Sequence, residues 1–104
     1  MLLSNQKYKS GDIISIKISN GDEIVAKFSE ETSTGFMIVK PMTIMPTQTG
    51  IVLVPSLFTV DSELPTPIHF QHIMLHGATI KEMSDHYIKK TSGIQIASAG
   101  SIIS

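Results

Sequence analysis

At 104 residues, 41% of them hydrophobic and 16% charged, with a formal charge of −1, the chain has material for one modest core and too apolar a balance for a disordered polymer. Cysteine is absent, which excludes a disulfide framework and thiolate metal ligands. All eight basic residues are lysine, and a chain with no arginine lacks the fork that contacts bases and stacks on them, so tight nucleic-acid binding by a monomer is not expected. Weak binding by repeated copies stays open, and so low a charge on a chain this size predicts that part of the surface is an interface.

Residues 1–10 carry Lys7 and Lys9 among polar neighbours without periodicity and read as a flexible arm. From Gly11 to Phe28 two apolar, β-branched runs flank Asn20-Gly21, a strong hairpin signal. A two-residue loop would put the apolar sets of the two strands on opposite faces. A loop of odd length, Ser19 to Gly21 with Gly21 in the left-handed region and a bulge, puts Ile14, Ile16 and Ile18 on the same face as Ile24, Ala26 and Phe28. The odd loop is therefore expected.

After a polar loop over Ser29 to Thr34, Gly35 opens a third strand, Phe36 to Ile44, in which Phe36, Ile38, Met42 and Ile44 share one parity. Lys40-Pro41 predicts a bend or bulge in it, since proline gives up a ladder donor. Residues 46–50 read as a turn. Ile51 to Val60 is continuously apolar around Pro55, with no charge to guard it, and a soluble monomer should not leave such a strand on a sheet edge. Pairing across a subunit boundary is expected there, with Ile51, Leu53, Val54, Leu57, Phe58, Ile73 and Leu75 as the interface.

Asp61 to Pro67 is an acidic, proline-rich loop, and His69 to His76 reads as a fifth strand. Thr79 and Glu82 have capping-box spacing and open a helix over 79–93 whose stripe is Ile80, Met83, Tyr87 and Ile88, expected to cover an open end of a small barrel. Lys89, Lys90 and Gly93 suit its C-terminus. The uncharged tail, 94–104, has no helical period and is left as an added strand or a disordered end.

Gly-Asp-x-Ile-x-Ile-x-Ile from Gly11, then Asn20-Gly21 and Glu23-Ile-Val-Ala-Lys-Phe, resembles the first motif of the Sm/LSm-like family, which includes bacterial Hfq. Lys40-Pro41, Pro46-Thr-Gln, Val54-Pro55, Ile73-Met74 and Thr91-Ser92-Gly93-Ile94 look more narrowly like the small Sm-like proteins of tailed marine phages, including cyanophages. The broad likeness covers residues 11–78 and implies a mostly β fold: a five-stranded, strongly bent Sm-like (SH3-type) barrel with one C-terminal α-helix. It also implies homo-oligomeric rings in which the fourth strand of one subunit pairs with the fifth of the next. The family's RNA site does not carry over. Where RNA-binding members have Asp-x-x-Met-Asn and Arg-Gly-x-Asn, this chain has Glu31-Thr-Ser-Thr-Gly35 and Val60-Asp-Ser-Glu63, without the stacking residue or the arginine. No nucleic-acid-contacting residue is assigned by the resemblance.

Chemistry-bearing groups are sparse. On one strand His72 and His76 would share a face about 13 Å apart, with His69 pointing the other way, too dispersed for one ion. No nucleophile elbow links serine, histidine and aspartate, and Asp22-Glu23 and Glu30-Glu31 read as solvated pairs. No cofactor, metal or small-molecule substrate is expected, nor a polar-lined pocket in the monomer. The expected function is a non-enzymatic Sm-like ring with weak RNA or single-strand binding through Lys7, Lys9 or Lys40, the alternative being a structural or protein-interaction ring without nucleic acid. No leader or bilayer-spanning run is read in the sequence, so a cytoplasmic site is expected, in the host cell if the source is viral.

Overall fold

The computed structural model describes residues 8–93, so the expectations for the tail 94–104, and for Lys7, fall outside the described residues. The fold is mostly β, an antiparallel sheet of six strands followed by one helix. In chain order the elements are β1 (Ile13–Ile18), β2 (Glu23–Glu31), β3 (Gly35–Thr47), β4 (Gly50–Pro55), β5 (Thr66–His69), β6 (Ile73–Ala78) and α1 (Lys81–Ile88). The ladder runs β4-β3-β2-β1-β6, and β5 pairs with the first part of β3.

The β1–β2 hairpin has the odd loop that apolar parity demands. Ile14 lies opposite Ala26 and Ile16 opposite Ile24, and Gly21 turns the chain at φ 95°, a left-handed conformation that glycine enters without a steric penalty. Its amide donates to the Ile18 carbonyl at 2.8 Å, while the Asn20 side chain accepts from the Asp22 amide at 2.9 Å. Ile14, Ile16, Ile24, Ala26 and Phe28 are consequently buried together.

The third strand departs from its expected pattern. Lys40 has φ 51°, and between the pairs Val25↔Met42 and Lys27↔Val39 β3 spends one more residue than β2. That bulge resets the alternation. Phe36 and Ile38 face the cluster containing Ile14 and Phe28, whereas Met42 and Ile44 belong to a second cluster with Val25, Leu53 and Tyr87. The four residues thus do not share a face, because parity counts only within an unbroken pleat. Since Val25 alternates with Ile24 and Ala26 along β2, the two clusters lie on opposite faces of the sheet.

The single strand expected over His69–His76 is two. β5 ends at His69, a 3₁₀ turn covers Phe70–His72, and β6 resumes against β1, so six strands replace the expected five. Long-range bonds fix the break: the Phe70 amide donates to the Thr34 carbonyl at 2.9 Å, and Ser19 N–H to the His72 carbonyl at 2.9 Å. Where β5 meets β3, the backbone passes so close to Gly35 that a Cβ there would run into the Ile68 carbonyl.

The arm also departs from expectation at its last residues. Lys9 N–H donates to Asp12 Oδ2 at 2.8 Å and Asp12 N–H to the Lys9 carbonyl at 2.9 Å, a local turn that directs Tyr8 inward. Tyr8 is buried against Phe28 and Phe36, with ring centroids 5.4 and 5.9 Å away in tilted and edge-on arrangements. Its burial pushes the phenol's pKa upward.

The helix forms inside the expected span 79–93 but is α-helical only over Lys81–Ile88, with a π turn over Lys89–Gly93 after it, and no capping box opens it. Ile80 occupies the N-cap without a side-chain bond, because the Thr79 hydroxyl is instead 2.8 Å from Ser15 Oγ on β1. Only part of the apolar stripe is used: Tyr87 is buried and Met83 half-buried, while Ile80 and Ile88 remain exposed. The helix covers the second cluster, on the face of the sheet opposite the aromatic core.

Candidate assembly edges and an apolar groove

Two strands stand at the ends of the ladder, β4 and β6, and both carry exposed apolar side chains. Ile51 on β4 and Leu57, Phe58, Val60 and Leu64 just after it are exposed, Phe58 most of all at 78%. Met74 and Leu75 are exposed on β6. Of the expected interface residues, Ile51, Leu57, Phe58 and Leu75 therefore sit on the surface and Val54 is half-buried. Leu53 is only 1% exposed, packed with Met42, Val25 and Tyr87, so its side chain serves the chain's own core; Ile73 leans on the other cluster. The alternation of a half-buried strand accounts for Leu53, which points inward between two outward neighbours.

Beside β4 lies a groove of about 710 Å³, contrary to the expectation of no polar-lined pocket. Residues of the β3 bulge, of β4, of the loop after it and of the end of the helical segment line it together. Val52, Val54, Pro55, Leu57 and Val60 supply apolar wall, and Lys40, Ser62, Glu63, Thr66 and Lys90 supply polar lining.

Lys40 is the unusual residue of this site. A left-handed φ costs a side-chain-bearing residue ~1–2 kcal/mol, so its geometry requires support from the surroundings. That support is visible. The Tyr87 hydroxyl lies 2.7 Å from the Lys40 carbonyl and 3.2 Å from that of Val39, holding the bulge from the helix side. Desolvation pushes the Tyr87 phenol well above the ordinary tyrosine range, with a backbone hydrogen bond at Lys27 acting weakly the other way, so it remains a donor. The Lys40 side chain is 18% exposed, and its Nζ is 3.4 Å from Glu63 Oε2 and 3.4 Å from the Thr91 carbonyl. Glu63 is 71% exposed, and an ion pair of that kind contributes ~0–1 kcal/mol. Such a return does not offset the strain of placing a lysine there.

The histidines are separated by the 3₁₀ turn: His69 ends β5, His72 lies in the turn, and His76 is on β6. His76 Nδ1 is 2.6 Å from the Tyr8 hydroxyl and its ring stands edge-on to Phe36. Among the described residues no three histidine or acidic side chains converge as a metal site requires, and no helix is long and apolar enough to cross a membrane. Lys9 and Lys40 lie on separate elements, Lys9 in the turn before β1 and Lys40 in the β3 bulge. Sequence reasoning missed the groove; the left-handed lysine that shapes it leaves no signal beyond Lys40-Pro41. Comparison with protein-family models finds no match, and no curated protein is significantly similar to the chain.

Proposed function

We propose that the chain is a non-enzymatic, ring-forming protein of Sm-like type, its strongly bent sheet being a small barrel and its copies joined edge to edge, β4 of one to β6 of the next. The observation that carries this is the pair of ladder ends, each bordered by exposed apolar side chains. Each edge presents unpaired backbone N–H and C=O groups that the other can pair, and a head-to-tail contact of two different edges closes into a ring if the rotation per copy allows it. The resemblance to Sm-like proteins of tailed marine phages supports the same reading, with a cytoplasmic site of action, in the host cell if the source is viral.

Within such a ring the lysines of each copy recur around an axis, so weak contacts to a single-stranded nucleic acid add through effective concentration. The competing reading, a ring that binds only protein, is favoured by the absence of arginine. Light scattering at micromolar concentration separates assembly from its absence: a multiple of the monomer mass is expected, and a monomer would sink the ring. Salt-dependent binding of uridine-rich or adenine-rich strands to the assembled form is expected to separate the two rings, and its absence at low salt selects the protein-only one. Val54→Lys places a charge on β4 and is expected to lower the assembled mass while the β1–β2 hairpin stays folded.

A further inference from the structure

We infer that the groove beside β4 is a binding site for a monocarboxylate with an extended apolar chain, a free fatty acid in chemical class, whose head meets Lys40 and whose chain lies along Val52, Val54, Leu57 and Val60. Three observations converge on it. The groove's volume, about 710 Å³, falls within the range in which small-molecule sites are found, ~300–1,000 Å³. Its walls are apolar, while among the described residues its charged lining is two lysines, Lys40 and Lys90, against the carboxylate of Glu63, a local positive excess on a chain whose formal charge is −1. The third is Lys40 itself.

A left-handed backbone is where glycine is at ease, yet a lysine holds the position, and the inference runs from that outlier to a use for its side chain. The side chain as a whole is mostly covered, and the two contacts of its ammonium, to Glu63 and to the Thr91 carbonyl, are long at 3.4 Å. Charge-assisted bonds of this type close to ~2.7–2.9 Å when well made. A carboxylate entering the groove takes the short contact that Glu63, anchored on an exposed loop, leaves unmade. Glu63 also sets the selectivity: a dianionic head would meet its charge, whereas a single carboxylate leaves one lysine for each acid. The groove shares Val54 and Leu57 with the edge proposed for assembly, so ligand binding and assembled mass have to be read together.

The test titrates the full chain with dodecanoate, below its micelle concentration, and with dodecanol, reading heat and assembled mass together. One dodecanoate per chain is expected, with dodecanol at least tenfold weaker. Lys40→Gly, which suits the backbone and removes the ammonium, is expected to weaken dodecanoate at least tenfold with the fold retained; Lys40→Gln, which keeps the strained backbone and loses the charge, is expected to do the same. No dodecanoate binding, equal binding of acid and alcohol, or undiminished binding by both variants would overturn the proposal. So would binding that appears only as the assembled mass falls, because the groove would then be a contact between copies.

Discussion

The two apolar clusters on opposite faces of the sheet are built from adjacent residues of the same strands, yet they differ in nearly every physical respect. The aromatic cluster is enclosed: β1, β2, the first part of β3 and β5 surround it, Ile68 and Ile73 line its margin, and Tyr8 completes it beside Phe28 and Phe36. The second cluster, Val25, Met42, Leu53 and Tyr87, is covered by one short helix and passes into the groove and the exposed edge of β4. One face therefore holds the fold together while the other is left able to meet something else. Ile13 and Val25, whose neighbours on the same strands belong to the aromatic cluster, connect the two.

That contrast predicts its largest effect at Phe28. Truncating a buried phenylalanine removes transfer free energy and leaves a cavity, typically ~3–5 kcal/mol together. Phe28→Ala is expected to unfold the whole chain at much lower denaturant, with sheet and helix signals lost in one transition. Met42→Ala, on the other face, is expected to cost less, ~2–3 kcal/mol, because the open groove lets neighbours relax into the space. If the two substitutions had equal cost in denaturant titrations, the distinction between an enclosed core and an open one would be lost.

Gly35→Ala comes next. The added Cβ meets backbone, the Ile68 carbonyl and His69 Cα, and backbone cannot step aside as a flexible side chain does. Overpacking of this kind costs ~1–3 kcal/mol. The expected signature is loss of hydrogen-exchange protection along β5 while the β1–β2 hairpin keeps its own. Uniform loss would mean that β5 and the hairpin open as one unit.

How much of this was legible beforehand follows the same division. The hairpin's register was readable because Ile14, Ile16, Ile24, Ala26 and Phe28 alternate without interruption, and an apolar parity that strong admits only a loop of odd length. The second cluster was not readable, since it depends on one residue, Lys40, adopting a left-handed conformation that switches Met42 and Ile44 to the other face. Thr79 misled for a related reason. Its hydroxyl had a local use as a cap and a distant one at Ser15, and the distant partner is not visible in a window of neighbours. The inward turn of Tyr8 is of the same kind: its partners, Phe36 and His76, lie far along the chain. At the candidate site, the residues read as an interface divide: Ile51, Leu57, Phe58 and Leu75 are exposed, Leu53 is taken into the chain's own core by strand alternation, and the groove beside them was not readable.

Tyr87→Phe tests the fastening between the two faces. It keeps the ring's bulk and removes the hydroxyl that reaches the Lys40 and Val39 carbonyls, for an expected loss of ~1–2 kcal/mol. The pH dependence has a definite sign. Burial raises the folded-state pKa above the ordinary 10.0, so the phenol's contribution is fully present below pH 10 and is lost as pH climbs above it, where the unfolded chain releases the proton first. Stability is expected to fall above pH 10 in the parent chain and to fall less steeply in Tyr87→Phe; Tyr8, raised in the same direction, keeps part of the slope. Parallel slopes in the two proteins would show that the Tyr87 hydroxyl is not shielded as its burial requires.

The smallest effect on stability is expected at Lys40→Gly, and its sign is the informative part. Glycine removes the left-handed penalty of ~1–2 kcal/mol. Against that stand the greater freedom of glycine in the unfolded chain, ~0.5–1 kcal/mol, and the weak pair with Glu63, ~0–1 kcal/mol. The sums nearly cancel, so thermal unfolding should place the variant within about 1 kcal/mol of the parent. A loss of several kcal/mol would mean that the lysine side chain is a structural support of the open face. A value near zero leaves the strained residue without a folding role, and the reason for a lysine at that position then has to be sought in what the groove holds.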